Sequence, residues 1–143
     1  MKEIEIQRAA EEDAPYIEEK LKKYILDKDG ANWKQFFVAK NNGKIVAFGR
    51  IIEHDEYFEI ASLGVDYRHR KKGIGVKLLS FLIEEAKRLN PKKAIYGVTH
   101  RPGFLKKAGF KEIEKGPEAL EYKKYNKCIL PPSKIEIMRV VSS

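Results

Sequence analysis

The sequence predicts an α/β fold: one mixed sheet of six to seven strands with helices on both faces. Three observations point to it. Short alternating or apolar runs are interleaved with segments of 3.6-residue periodicity, in the order β-α-β-β-β-α-β-α-β-(α)-β. The run 94–98 is apolar almost throughout, as a strand covered on both faces requires. Between Glu59 and Leu89 a short apolar run passes through a basic glycine turn into a long amphipathic segment. At 143 residues the chain reads as a single domain, 1–143, large enough for a real core.

The elements follow in order. Ile4 and Ile6 alternate with charge, so residues 2–8 read as a first strand. Asp13 is placed to cap a helix whose inner stripe is Ile17, Leu21, Tyr24 and Ile25, ending before Gly30. Residues 36–39 form a second strand, and Asn41-Asn42-Gly43 is a hairpin turn into a third, 44–52. The fourth strand carries Ile60, Leu63 and Val65; Ile74, Leu78, Leu82, Ala86 and Leu89 then give one helical face, stopped by Asn90-Pro91. After the fifth strand at 94–98, Pro102 opens a short helix that Gly109 ends. A strand at 111–114, a helix at 117–126, a break at Leu130-Pro131-Pro132 and a last strand at 135–141 complete the chain.

The turn Arg70-Lys71-Lys72-Gly73-Ile74-Gly75 carries the chemistry. Glycine there permits positive φ and close backbone approach, and the first N–H groups of the following helix lack intrahelical partners. Such a turn holds a phosphate or pyrophosphate, helped by the helix dipole and the flanking cations. It is not a P-loop, because Val76-Lys77 follows the last glycine where Lys-Ser/Thr would be needed, and two glycines are too few for a dinucleotide fingerprint.

The pattern Arg-x-x-Gly-x-Gly, five residues past Val65 and opening a leucine-rich helix, resembles the GNAT family of N-acetyltransferases, and the element order matches along nearly the whole chain. The resemblance implies that the turn wraps the pyrophosphate of acetyl-coenzyme A, and that strands four and five splay apart to take its pantetheine arm. Expected cofactor contacts are Leu63, Gly64, Val65, Arg70, Lys71, Lys72, Gly73, Ile74, Gly75 and Val76. Gly64 suits the bulge or splay itself. Glu59, on the strand entering the turn, is the expected general base.

Within the family, Glu59-Ile60-Ala61-Ser62-Leu63-Gly64-Val65 and the stretch from Val98 to Phe110 look most like the acetyltransferase domain of N-acetylglutamate synthases. Ala61 stands where that group has arginine, so a carboxylate-bearing acceptor would need another cation: His100 and Arg101 after strand five, or Arg50 on strand three. Leu105 stands where many relatives carry a tyrosine that protonates the departing thiolate, leaving solvent or Tyr96, Tyr122 or Tyr125 for that task. The expected function is transfer of acetyl from acetyl-coenzyme A to a primary amine, with that of an amino acid such as glutamate among the candidates. Alternatives are a protein N-terminal or lysine acetyltransferase and a non-catalytic acetyl-coenzyme A sensor.

Composition bounds the partners. The net charge of +8 invites nucleic acid, but the lysines are spread along every segment and interleaved with glutamate, as on a solvated surface. No apolar run approaches a membrane span, and the N-terminus reads as strand rather than signal peptide. Cys128 is the only cysteine and reads as a small apolar filler; it forms no internal disulfide, and a reducing cytoplasm is the natural compartment. His54, His69 and His100 show no ligand spacing, so no metal is expected. The expected partners are a small amine or amino-acid acceptor, or a protein amine, with a homodimer compatible and neither nucleic acid nor membrane involved.

Overall fold

A computed structural model describes residues 4–128 and 130–141. The first two positions of the predicted opening strand lie outside the described residues; the strand itself, β1, spans Glu5–Arg8. It is followed by α1 (Ala14–Lys23), β2 (Phe36–Asn41), β3 (Lys44–Glu53), β4 (Tyr57–Val65), α2 (Ile74–Leu89), β5 (Ala94–Thr99), α3 (Pro102–Lys106), β6 (Phe110–Glu112), α4 (Glu118–Asn126) and β7 (Glu136–Val140). The strands form one sheet in the order β1-β2-β3-β4-β5-β7-β6. All its pairings are antiparallel except β4 with β5, as the long α2 crossover requires.

Each face of the sheet has its own core. On one, Ile74, Leu78, Leu79, Leu82, Ile83 and Ala86 of α2 pack on Phe37, Ala47, Ile51, Phe58, Ile60 and Ile95. Fully buried leucines of this kind contribute roughly 1.5–3 kcal/mol each. Leu89 is not part of this stripe: it lies in the last turn of α2, 48% exposed. On the opposite face Ile17 and Leu21 of α1 cover Phe36, Val38 and Phe48.

Two local outcomes differ from the sequence reading. Helix α1 stops at Lys23, and Ile25 is exposed at φ 54°. Its N–H bonds the Lys22 carbonyl, and the Leu26 N–H bonds the Leu21 carbonyl. That is a Schellman closure, which turns Leu26 rather than Ile25 inward. Asp13 does not cap α1 by its side chain; its carboxylate accepts from the Ala10 N–H at 2.8 Å and pairs with Lys40.

The sheet opens in its middle. Only Tyr57, Glu59 and the residue between them pair with β5, on Ala94, Ile95 and Tyr96. Beyond that row β4 runs on to Val65 and β5 to Thr99 without pairing to each other. A bulge accompanies the parting: Phe48 pairs with Gly64 but Arg50 with Ala61, so β4 carries one extra residue there. The extra residue adopts a left-handed conformation at Ser62, φ 55°. The bulge therefore centres on Ser62 and Leu63 rather than on Gly64. Gly64 has a different duty, because a Cβ there would stand 2.6 Å from the Phe48 ring.

Candidate active site

The open stretch of β4 leads straight into the glycine turn. Lys71 (φ 66°) and Gly73 (φ 81°) are both left-handed, which curls the chain so that α2 begins at Ile74. The first intrahelical bond runs from the Lys77 N–H to the Gly73 carbonyl, so the N–H groups of Ile74, Gly75 and Val76 have no partner within the helix. They point outward at the positive end of a 16-residue helix. Gly75 is buried, with the Phe104 ring 3.0 Å from where a Cβ would be, so α3 closes one wall of the turn. Lys71, Lys72 and Gly73 are exposed around it. Arg70 is held by the protein itself, donating from Nε to the Val65 carbonyl at 3.0 Å and lying over the Tyr24 ring. Beside it, Lys20, Lys23, Tyr67 and Arg68 line a cationic hollow of about 450 Å³ with Asp66. Such a turn fits a pyrophosphate: free amides, surrounding cations, and open space over Gly73.

At the other end of the opening lies Glu59. Phe58 and Ile60 point into the α2 core, so strand alternation sends Glu59 to the opposite face. It occupies the last paired row before β4 and β5 part, and it is 3% exposed. Both carboxylate oxygens are engaged: Oε1 lies 3.1 Å from His54 Nε2, and Oε2 accepts from the Lys123 ammonium. Lys123 comes from α4 and also donates to Asp27 Oδ2 at 2.6 Å. Burial pushes the Lys123 ammonium down, but the charges and hydrogen bonds of Glu59 and Asp27 outweigh it and hold its pKa above the ordinary lysine value. Burial likewise opposes ionisation of Asp27, yet Lys123 and then Arg50 keep its carboxyl below the usual range.

Arg50 anchors this assembly from β3 and is fully buried. Its Nε donates to Ser62 Oγ at 2.9 Å and Nη1 to Gln35 Oε1 at 3.0 Å. Its Nη2 reaches the Asp27 carboxylate at 3.1 Å and the Asp29 carbonyl at 3.1 Å. The Ser62 hydroxyl in turn donates to the Asp27 carbonyl. One guanidinium thus ties the loop after α1 to the bulge of β4. Asp27, Asp29, Ile52, His54, Glu59 and residues of α4 line an open cavity of about 680 Å³.

The sequence-derived residues fall into separate places. Leu63, Gly64 and Val65 lie along the open edge of β4, and residues 70–76 form the turn that follows. Glu59 lies at the closed end of the same opening, on the cavity. His100 and Arg101 are exposed beyond β5, Arg101 lying over the Phe104 ring, and neither lines the cavity. Arg50, expected as an alternative carboxylate clamp, has its guanidinium consumed by the protein itself. Leu105 packs toward Gly97, and the hydroxyl of Tyr57, not considered from the sequence, is buried without a hydrogen-bond partner beside Tyr96. Asp27, His54 and Lys123 were missed. The one usable signal was the spacing of Lys123 three residues after Leu120, which is 1% exposed and fixes the inner face of α4. Among the described residues no three His, Cys, Asp or Glu side chains gather as a metal site, and no helix is long and apolar enough to cross a membrane.

Residues 3–110 match the model of the acetyltransferase (GNAT) family. Among solved structures, a Mycobacterium tuberculosis protein in complex with CoA superposes with a TM-score of 0.78 at 20% identity, over 97% of this chain and 99% of that one. N-acetylglutamate synthase from Neisseria gonorrhoeae, complexed with coenzyme A and N-acetyl-glutamate, gives 0.77 at 16% identity over 99% of this chain; the chain spans 36% of that enzyme. The ribosomal-protein-S18-alanine N-acetyltransferase from Escherichia coli gives 0.68 at 16% identity, over 99% and 97% of the two chains. No curated protein matches the sequence. At these identities the likenesses report the fold, and the family match covers most of the chain, including β4, the splay and the glycine turn. The chain belongs to the acetyltransferase (GNAT) family.

Proposed function

We propose that the chain transfers the acetyl group of acetyl-coenzyme A to the primary amine of a small molecule held in the cavity beside Glu59. The observation that carries this reading is the position of Glu59: a buried carboxylate at the last paired row of β4 and β5, between the open strand edge and the cavity. Acetyl-coenzyme A brings the activated acyl group and the thiol that leaves. The free amides of Ile74, Gly75 and Val76 hold its pyrophosphate with Lys71 and Lys72, and the unpaired edge of β4 from Ile60 to Val65 aligns the arm and polarises the thioester carbonyl. Glu59 takes the proton that the acceptor nitrogen must lose, directly or through one water. Holding both substrates in line supplies the rest of the rate.

An amino-acid acceptor is the narrower reading, supported by the likeness to N-acetylglutamate synthase. The cavity lining gives glutamate itself less support, because Asp27, Asp29, Glu59 and Glu118 stand there with only Lys123 and Lys127. The test is release of free thiol from acetyl-coenzyme A over a panel of amino acids, alkylamines and a lysine peptide, with wild type and Glu59→Gln. Glu59→Gln is expected to bind acetyl-coenzyme A normally and to lose about 10²-fold in turnover, less at high pH where the amine is already deprotonated. Wild-type turnover in that variant at neutral pH would remove Glu59 as the base. A panel with no acceptor turned over would leave only an acetyl-coenzyme A binding protein.

A further inference from the structure

Lys123 lies outside the stretch that matches the family model, on a helix between β6 and β7. Yet it makes the closest contact to the carboxylate on which the proposed reaction turns. At 3% exposure Glu59 has little water to offset the cost of a buried charge, so a paired cation matters to it. Here the titratable and charged groups around Glu59 come from every neighbouring element. His54 approaches from the turn between β3 and β4, and Tyr57 and Tyr96 from the two paired strands. Lys123 and, farther off, Cys128 come from α4 and its end. Asp27, with Arg50 behind it, lies on the far side of Lys123.

Of these, only Lys123 is a fixed cation in direct contact with Glu59. Arg50 spends its charge on Asp27, and His54 is a titratable imidazole on the rim, its side chain 30% exposed. The Lys123 side chain is 17% exposed, and Asp27 fixes its ammonium from the other side. The two carboxylates hold the lysine charged, so its ammonium cannot itself take up the acceptor's proton. A carboxylate offers about four lone-pair directions. The bonds to His54 and Lys123 use one on each oxygen and leave others for the acceptor or a bridging water.

We infer that Lys123 is a positioning residue for Glu59: its ammonium, clamped between Glu59 and Asp27, supplies the positive charge that faces this buried carboxylate and fixes it in one orientation at the cavity wall. This rests on the reading of Glu59 as the base. It also assigns α4 a part in the reaction that its place outside the matched stretch gives no reason to expect.

The test is the pH dependence of kcat/KM for the best acceptor, from pH 5.5 to 10, in Lys123→Met, Lys123→Gln and Lys123→Arg. In Lys123→Met and Lys123→Gln the acid limb is expected to move to higher pH by roughly one to three units, the range for loss of a close opposite charge. Acetyl-coenzyme A affinity is expected to stay at the wild-type value, and Lys123→Arg to restore the limb. An unchanged acid limb in a folded neutral variant overturns the inference. Should Lys123→Met fail to fold, Lys123→Gln decides, since its amide keeps a polar donor in the site without the charge. Should both neutral variants fail to fold, Lys123→Arg decides: the retained charge must keep the acid limb at its wild-type position, and a limb moved to higher pH despite that charge overturns the inference. Glu59→Gln separates the two readings. If it keeps the wild-type rate, the base assignment has failed; if it loses the rate while Lys123→Gln keeps the wild-type limb, only Lys123 has failed.

Discussion

Arg50→Met gives the sharpest test of how the site is held together. The substitution keeps an apolar stem of similar length in a fully buried position and removes all the donors. Left behind are the Ser62 hydroxyl, the Gln35 side chain, the carbonyls of Asp27 and Asp29, and one face of the Asp27 carboxylate. Breaking a buried ion pair by removing one partner costs roughly 3–5 kcal/mol. Gln35 and Asp29 are close enough to the surface for water to recover part of their bonds, so the lower half of that range is expected. In a domain of this size that is a fall in Tm of roughly 10 °C, or a urea midpoint lower by about 1–2 M at a typical m-value. Because Arg50 also secures the left-handed Ser62, turnover is expected to fall with stability while acidic and neutral acceptors are affected alike. Urea melts followed by circular dichroism, with the acceptor panel run well below the new midpoint, measure both. A variant of wild-type stability whose KM rises only for acidic acceptors would refute the reasoning. It would restore Arg50 as a substrate clamp.

Three further outcomes are expected. Gly73→Glu should lose acetyl-coenzyme A binding by calorimetry while Gly73→Asn, which tolerates positive φ, should largely keep it; equal affinities would remove the turn as the pyrophosphate site. Gly75→Glu should unfold or destabilise the protein instead, because its Cβ would meet the Phe104 ring, and thermal melts will separate the two glycines. The stability difference between wild type and Lys123→Met should depend on pH at both ends. Asp27, lowered in the folded state, contributes above its unfolded pKa of 3.8 and loses that contribution as pH falls through its folded value. Lys123, raised in the folded state, contributes fully below its unfolded 10.5 and loses that as pH rises through its folded value. Urea midpoints should therefore differ most between about pH 5 and 9, and a difference that persists unchanged at pH 3 would show that the ion pairs are not its source.

What the sequence determined by itself is what local patterning encodes. Alternation, 3.6-residue periodicity and proline and glycine breaks placed the seven strands and four α-helices of the described residues to within a few residues, because side-chain direction and chain breaks are set by each element's own backbone. Asn42-Gly43 named its hairpin and Gly73 its left-handed turn for the same reason: positive φ is a demand on a single residue. The open edge of β4 came from the family resemblance, and the tertiary structure gave it a cause in the extra residue at Ser62. Glycine content pointed to Gly64 instead, because nothing in a sequence tells a glycine that bends a strand from one that makes room for a ring. The polar assembly behind Glu59 belongs wholly to the tertiary structure. Asp27, Arg50, Glu59 and Lys123 stand on four different elements, and burial is what converts ordinary surface residue types into a linked set of charges. Lysine and aspartate in a chain this rich in charge carry no local mark of that fate. Only the folding of the chain brings the ammonium of α4 to Glu59, the one buried glutamate among the described residues, in a place where water screens it less.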